Sequence, residues 1–163
     1  MLLSMWAAGP VRADDPWADF RFLIGDWVSD GKPADGSGSF TLAPDLGGKV
    51  LVRRHRAELP ASAGRPAGKH EDLMIVYPEG KGFRASYFDN EGHVIQYAVS
   101  PLPDKKGLQF LSNADPSGPR FRLTYTAGEE DKATVKFEIA PPGKPDEFRT
   151  YLEGTVRRKK AGA

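Results

Sequence analysis

Hydrophobic and polar residues alternate in short runs over most of the chain, and a turn separates each run from the next. The clearest example extends from Phe83 to Val99: it alternates, turns at Asp89–Gly92, and alternates again from His93. Alternation on both sides of a tight turn rich in Asp, Asn and Gly is typical of a β-hairpin. We therefore predict two antiparallel strands here.

The same pattern repeats along the chain, with turns rich in Gly, Pro, Asn and Asp. It predicts about ten strands, spaced by roughly 8–14 residues. Besides the two strands of the hairpin, they begin at Trp27 and cover Ser39–Ala43, Lys49–Leu59, Glu71–Tyr77, Gly107–Asn113, Arg120–Thr126, Lys132–Ala140 and Glu147–Arg157. Regular spacing with almost no helix predicts an all-β fold, an antiparallel barrel or sandwich.

One short helix is predicted before the first strand. Asp15 and Pro16 suit its first turn, where the N–H that Pro lacks is not needed, and apolar residues follow as far as Ile24. Gly25 suits the position just beyond the end of a helix. The expected length is about two turns.

Residue parity predicts which side chains share a face, because successive residues of a strand point to opposite sides of the sheet. Phe121, Leu123 and Tyr125 alternate with polar residues, which predicts an apolar interior in the C-terminal half. The predicted strand Lys49–Leu59 instead carries charged residues on both faces. Strands of that kind indicate either a sheet edge or a lumen that is partly wet.

Composition limits the possible partners. The 163 residues suit a single domain. A net charge of +1, with 28% charged residues, gives no global field that would attract nucleic acid or an anionic membrane. The absence of cysteine excludes disulfides, thiolate metal sites and a cysteine nucleophile. No stretch approaches the 18 apolar residues of a membrane span.

The first residues resemble a shortened export signal. Leu2–Ala8 is apolar, Gly9–Pro10 interrupts it, and Val11–Ala13 fits a signal-peptidase site. A positive n-region is missing, so we interpret Met1 as an internal start of a longer leader. The alternative is an apolar N-terminus on a cytoplasmic protein. The expectation is a signal peptide over residues 1–13, one domain over residues 14–160, and a periplasmic or secreted protein.

Three motifs together resemble the lipocalin-like (calycin) barrels, and most closely a bacterial domain family of unknown function. An "L-x-G-x-W" block is present at Leu23–Trp27, an "L-G-G-x-x-L" block at Leu46–Leu51, and a "Y/F-D-x-x-G" hairpin at Phe88–Gly92. The resemblance covers nearly the whole chain after the leader. It implies an up-and-down barrel with a lumen and no established reaction. Independently of the family, Trp27 is large and apolar enough to plug a closed barrel end.

Two other barrel families offer specific ligand sites. Fatty-acid-binding barrels hold a carboxylate with an Arg-x-Tyr pair on the last strand, which Arg149 and Tyr151 resemble. Parity opposes that role, because if Phe148 and Leu152 face inward, Arg149 and Tyr151 face outward. Nitrobindin-like barrels bind haem through a histidine near the C-terminus, whereas the last histidine here is His93. No haem and no other cofactor is therefore predicted.

The sequence gives no support for catalysis. The three histidines form no HExxH motif and no pair at metal-ligand spacing, and there is no G-x-S-x-G nucleophile elbow. A histidine–carboxylate pair is conceivable at Asp89 and His93, or within His70–Asp72, but solvated turn and strand-end residues are the expected role for both. No metal site is predicted.

The leading hypothesis is an exported barrel that binds a small apolar or amphipathic molecule of unknown identity. The residues predicted to contact it are Trp27, Arg53, Tyr77, Arg84, Tyr87, Tyr97, Phe110, Arg149 and Tyr151. One alternative is that the aromatic side chains simply fill the core of a structural or interaction domain.

A second alternative is a barrel enzyme acting on a small hydrophobic substrate. It requires His55, His70 or His93 to line a pocket beside a carboxylate. The orientation of the Phe83–Val99 hairpin determines which of its side chains could contact a ligand. Either Tyr87 and Tyr97 face the lumen or, in the opposite register, Arg84 and Phe88 do.

Overall fold

Ten antiparallel strands form a closed barrel in chain order, and the first strand pairs with the last. The computed structural model describes residues 15–31, 37–61, 66–129 and 131–160, so the leader predicted over residues 1–13 lies outside the described part. The strands are β1 Gly25–Ser29, β2 Ser37–Asp45, β3 Val50–Leu59, β4 Gly68–Glu79, β5 Gly82–Asp89, β6 Val94–Pro101, β7 Gly107–Ser112, β8 Arg120–Ala127, β9 Lys132–Ala140 and β10 Arg149–Arg158. The predicted all-β, up-and-down barrel is confirmed. None of the helices in the described ranges is long and apolar enough to span a membrane.

The predicted two-turn helix is wrong in length and type. Between Asp15 and β1 the chain forms one 3-10 turn, at Ala18–Phe20, and a second 3-10 turn, at Leu46–Gly48, joins β2 to β3. The segment between Asp15 and β1 is too short to repay the cost of nucleating an α-helix. Its apolar residues are held by the barrel instead, since Phe20 and Leu23 are both buried in the core.

This segment closes one end of the barrel through aromatic contacts. The rings of Trp17 and Phe20 pack against Phe83 with centroid distances of 5.2 and 5.0 Å. The indole of Trp17 donates to the carbonyl of Gly48 at 2.9 Å. Trp27 stacks on Phe40 at 6.0 Å and is almost fully buried. Its predicted role as the plug of the closed end is confirmed.

Arg158, near the end of β10, ties the last strand to the closing segment. Its guanidinium donates to the carbonyls of Ile24 at 2.7 Å and Phe22 at 2.8 Å, and lies 4.7 Å from the ring of Trp27. Gly25 must be glycine for this contact to form. Its φ is +133°, and a Cβ there would lie 2.5 Å from Arg158 Nη1.

The strand register settles which face of the hairpin looks inward. Directly paired residues share a face of the sheet. Tyr87 pairs with Met74, and Met74 pairs with Arg53, both of which are buried inside the barrel. Tyr97 pairs with the fully buried Ala85. Tyr87 and Tyr97 therefore lie on the inner face, as one of the two predicted registers requires.

The same register corrects two predicted ligand residues. Tyr77 pairs with Arg84, and both alternate with buried residues of β4 and β5, so they lie on the outer wall. Phe88 is also on the outer wall, with 40% of its surface exposed. Parity correctly predicts that Arg84 and Phe88 lie on the opposite face of β5 from Tyr87. Only the burial of Met74 and its neighbours determines which of these two faces points inward.

Candidate functional site

The inner face of the barrel carries a continuous chain of aromatic rings. Ring centroids are 6.4 Å apart for Tyr87 and Tyr97, 6.3 Å for Tyr97 and Phe110, and 6.0 Å for Phe110 and Tyr125. Phe40 continues the chain at 5.8 Å from Tyr125. Tyr97, Phe110 and Tyr125 are buried, so this part of the interior is filled by side chains, as the filled-core alternative expects.

Arg53 is a charged residue of this interior, with only 7% of its surface exposed. Its Nη1 donates to Asp72 Oδ1 at 3.0 Å, and its guanidinium lies 5.4 Å from the ring of Phe40. Within the described residues, its Nε has no hydrogen-bond partner, and neither has the hydroxyl of Tyr125. The predicted inward position of Arg53 is thus confirmed, and its bonding capacity is only partly used.

Asp72 divides its two carboxylate oxygens between different partners. Oδ1 accepts from Arg53, whereas Oδ2 lies 2.8 Å from His55 Nδ1 and 3.4 Å from His70 Nε2. Burial raises the pKa of this carboxyl, but the Arg53 charge and the His55 hydrogen bond outweigh burial and bring the pKa below its usual value. Burial lowers the pKa of His55, in spite of Asp72. Asp72 is therefore an ionised carboxylate beside a neutral imidazole at neutral pH.

His70 extends the network toward the turn between β5 and β6. Its Nδ1 lies 3.1 Å from Glu91 Oε1, and its Nε2 lies 3.1 Å from the hydroxyl of Tyr87. That hydroxyl donates to Asp89 Oδ2 at 3.2 Å. Burial, followed by the charges of Asp72 and Asp89, raises the pKa of Tyr87, so its phenol keeps its proton.

Register explains why these side chains meet. His55 pairs directly with Asp72, and Asp72 with Asp89, while His70 pairs with Ala57, the next inward residue of β3. We call His55, His70, Asp72, Tyr87 and Asp89 the histidine–carboxylate cluster. It lies at the end of the barrel formed by the connections 90–93, 113–119 and 141–148, which we call the mouth, opposite the end that Trp27 plugs.

The turn residues behave as the sequence predicts. Asp89 Oδ1 accepts from the backbone N–H groups of Glu91 at 3.0 Å and His93 at 2.9 Å, and the ring of His93 lies 2.9 Å from Asp89 Oδ2. His70 and Asp72, however, are not simply solvated strand-end residues, because Asp72 is buried between Arg53 and two imidazoles. Each histidine thus has a carboxylate neighbour, the feature that the enzyme hypothesis requires.

Across the mouth from the cluster, the inner face is apolar and opens toward solvent. Phe110, Leu123, Phe137 and Leu152 form one row of directly paired residues. Exposure rises along this row from 2% at Phe110 to 50% at Leu152. Gly154, in the neighbouring row, has no atom within 4 Å of the position that a Cβ would take. The inner face beside β10 therefore has room for another molecule.

A β-bulge places Arg149 and Tyr151 at the rim. The register of β10 shifts between Thr150 and Leu152, so Arg149 pairs with the inward residue Ile139, and Tyr151 is the extra residue. Tyr151 is 68% exposed and packs edge-on against Phe137 at 6.1 Å. Neither residue lies inside the lumen as a carboxylate anchor would.

Phe148 does not face inward, as it would if β10 ran unbroken from this residue. Phe148 packs against the outer-wall guanidinium of Arg122 at 4.1 Å, while Leu152 faces inward. A cleft of about 480 Å³ covers this part of the rim. It is lined by Ile139, Pro141, Lys144, Glu147, Arg149, Thr150 and Tyr151.

A second depression, of about 740 Å³, runs across β1 to β5. Its lining includes outer-wall residues such as Arg54 and Leu73 together with His55 and Asp72 of the cluster. Because the lining mixes both faces of the wall, this volume does not measure the barrel interior.

Sequence reasoning missed the contact between His55 and Asp72. The two are 17 residues apart, and only antiparallel pairing across the connection between β3 and β4 joins them. A signal existed: folding a hairpin about the Gly- and Pro-rich stretch 60–69 brings residues near 55 opposite residues near 72.

Comparison of the chain with protein-family models and with curated proteins found no match.

Proposed function

We propose that the barrel binds a small amphipathic molecule at its mouth, with a hydrogen-bond acceptor such as a carboxylate directed at Arg53 and Tyr125. The observation that carries this proposal is the pair of buried polar atoms, Arg53 Nε and the Tyr125 hydroxyl, without partners among the described residues. A buried donor left unpaired costs about 1–3 kcal/mol. An acceptor on a ligand would recover that free energy for both groups.

The two groups satisfy each other only in part. Burial raises the pKa of Tyr125, and both the charge of Arg53 and a side-chain hydrogen bond with it oppose that rise, so the phenol oxygen lies beside the guanidinium. The contact falls short of full hydrogen-bonding geometry, so Arg53 Nε and the phenol both keep the capacity to donate to another acceptor. A carboxylate oxygen could accept from the guanidinium and the phenol at once. Its entry requires the aromatic rings that fill this part of the interior to move aside.

The apolar part of the ligand has a surface to cover in the exposed part of the inner face. Leu152 and the ring of Tyr151 are exposed beside Phe137, which is only partly buried. Each 100 Å² of apolar surface removed from water contributes about 2.5 kcal/mol. The combination of a dry polar anchor and an open apolar wall is typical of ligand sites in proteins.

Titration with a dansyl-labelled fatty acid, followed by fluorescence, tests the proposal. We expect saturable binding to the wild type and at least about tenfold weaker binding to Arg53→Met, which removes a charge-assisted hydrogen bond of about 1.5–3 kcal/mol. The matched control is Arg84→Met on the outer wall, which should bind as the wild type does. Equal binding by both variants would show that Arg53 does not anchor the ligand.

A barrel enzyme is the second candidate, favoured by the carboxylate beside each histidine. It differs from a binding module in what happens to the bound molecule. If wild-type protein converts the molecule that copurifies with it into a product of different mass, and His55→Gln does not, the enzyme is supported. Recovery of the unchanged molecule from both proteins favours binding.

Export and family membership belong to the same proposal. The ten-stranded closed barrel and the order of the three motifs support a lipocalin-like protein. Export depends on the apolar residues 2–8 and the cleavage pattern that ends at Ala13. Mass spectrometry of protein from the periplasm or medium should find a chain that begins at Asp14. A mature chain that still contains residues 1–13 would refute cleavage there.

A further inference from the structure

We propose that His55, His70 and Asp72 form a binding site for a divalent transition-metal ion at the mouth of the barrel. One potential ligand atom from each residue lies within 4.8 Å of the other two. Two imidazoles and one carboxylate are donors that Zn²⁺ and its neighbours in the first transition series accept readily. The site goes beyond small-molecule binding, since it needs neither Arg53 Nε nor Tyr125.

The separations of the donor atoms suit a metal ion. Donors 2.0–2.2 Å from a tetrahedral Zn²⁺ lie roughly 3.3 Å from one another. His70 Nε2 and Asp72 Oδ2 are 3.4 Å apart, and His55 Nδ1 lies 2.8 Å from the same oxygen. The donor atoms of all three residues lie within 4.8 Å of one another, and an ion bound through His55 Nδ1 would replace the hydrogen bond that this nitrogen makes with Asp72.

Neighbouring groups hold two of the donors in the orientation that a metal needs. In the tautomer with the proton on Nδ1, His70 donates to Glu91 Oε1 at 3.1 Å, and Nε2 then presents its lone pair to the site. Arg53 occupies Asp72 Oδ1 and leaves Oδ2 for the histidine side. Metal-binding histidines usually donate their second ring N–H to a carboxylate in this way.

The charge around the site favours a cation. The carboxylates of Asp72, Asp89 and Glu91 lie in the network, and Arg53 is the guanidinium that opposes them there. In the chain without a metal, the contacts of His70 Nε2 with Asp72 Oδ2 at 3.4 Å and with the Tyr87 hydroxyl at 3.1 Å suit a proton on Nε2. A divalent ion would take the place of that proton between the two side chains.

Three protein ligands leave one position of a tetrahedral ion open. The hydroxyl of Tyr87 lies 3.1 Å from His70 Nε2, one of the three proposed ligand atoms. The side chains of His55 and His70 are each about one-fifth exposed, so an ion and a water molecule can enter from the mouth. Such an ion would carry an exchangeable water molecule or a polar group of a ligand.

The test uses protein stripped with a chelator and then dialysed free of it. We expect isothermal titration calorimetry with ZnCl₂ to show one ion per chain, and CoCl₂ to give the visible absorption of a low-symmetry cobalt site. His55→Asn and His70→Asn should each weaken binding by more than about 100-fold, and Glu91→Gln by about 10-fold or more, since it only orients a ligand.

His93→Asn is the matched control, because His93 also contacts a carboxylate but is not one of the three ligands. It should bind zinc as the wild type does. Zinc should also raise the Tm of the wild type and of His93→Asn but not that of His70→Asn, which checks the site in a folded variant.

The proposal is overturned if the wild type takes up no stoichiometric metal, or if His93→Asn loses as much affinity as His70→Asn. Because zinc is titrated without any amphipathic ligand, failure here leaves the binding of the dansyl-labelled fatty acid to be decided by its own titration.

Discussion

Replacement of Tyr125 by phenylalanine should stabilise the barrel. The Tyr125 side chain is fully buried, and its hydroxyl has no partner among the described residues. Removing an unpaired buried hydroxyl recovers about 1–3 kcal/mol. Part of that gain is offset, because the variant loses the packing of one oxygen atom and the attraction between the phenol hydroxyl and the Arg53 guanidinium. We therefore expect the free energy of unfolding to rise by about 1 kcal/mol.

The measurement is urea unfolding followed by circular dichroism, with a thermal scan beside it. For a domain of this length, 1 kcal/mol corresponds to a change of about 2–4 °C in Tm. Tyr87→Phe is the matched control: its hydroxyl donates to Asp89 and contacts His70, so its loss should destabilise the protein by about 1 kcal/mol. Destabilisation of Tyr125→Phe by a similar amount would show that its hydroxyl is hydrogen-bonded and would remove the main support for a ligand anchor.

Two further predictions concern the closed end and the outer wall. Gly25→Ala should destabilise the barrel by about 2 kcal/mol or more, because alanine is strained at a φ of +133° and its Cβ would meet Arg158. The control is Gly154→Ala, which should change the Tm little because open space surrounds that position. Arg122 donates to Glu138 at 2.7 Å and lowers the pKa of that carboxyl. A carboxyl with a lowered folded-state pKa stabilises the protein above its ordinary pKa near 4.5 and loses that contribution as the pH falls through the folded-state value. Stability below pH 4.5 should thus depend less steeply on pH in Glu138→Gln than in the wild type, and parallel pH profiles would contradict this.

The strands of the barrel were predictable because each is marked locally. The predicted strand Lys132–Ala140 matches β9 residue for residue, and Phe121, Leu123 and Tyr125 face the interior as their alternation requires. Alternation depends only on successive residues of one strand, so it can be recognised without knowing which strands pair. The prediction of a two-turn helix was wrong because the same apolar residues suit either one face of a helix or an irregular segment buried at a barrel end. No local sequence feature distinguishes these two structures.

The site was less predictable because it depends on long-range register. Parity alone left Tyr77 and Arg84 as candidates for the lumen, and the pairing of β4 with β3 and β5 moved them to the outer wall. The contact of His55 with Asp72 arises from the same pairing. The bulge at Tyr151 has no turn residue or glycine to signal it, so the sequence could not show that parity changes within β10.

Native mass spectrometry of the protein purified from its own host tests the central claim, that the mouth of the barrel binds a small molecule, most directly. We expect a folded chain that carries one additional small molecule, which is lost on denaturation and is depleted in Arg53→Met but not in Arg84→Met. A folded wild-type chain that shows its bare mass in every preparation, and takes up no dansyl-labelled fatty acid, would contradict it.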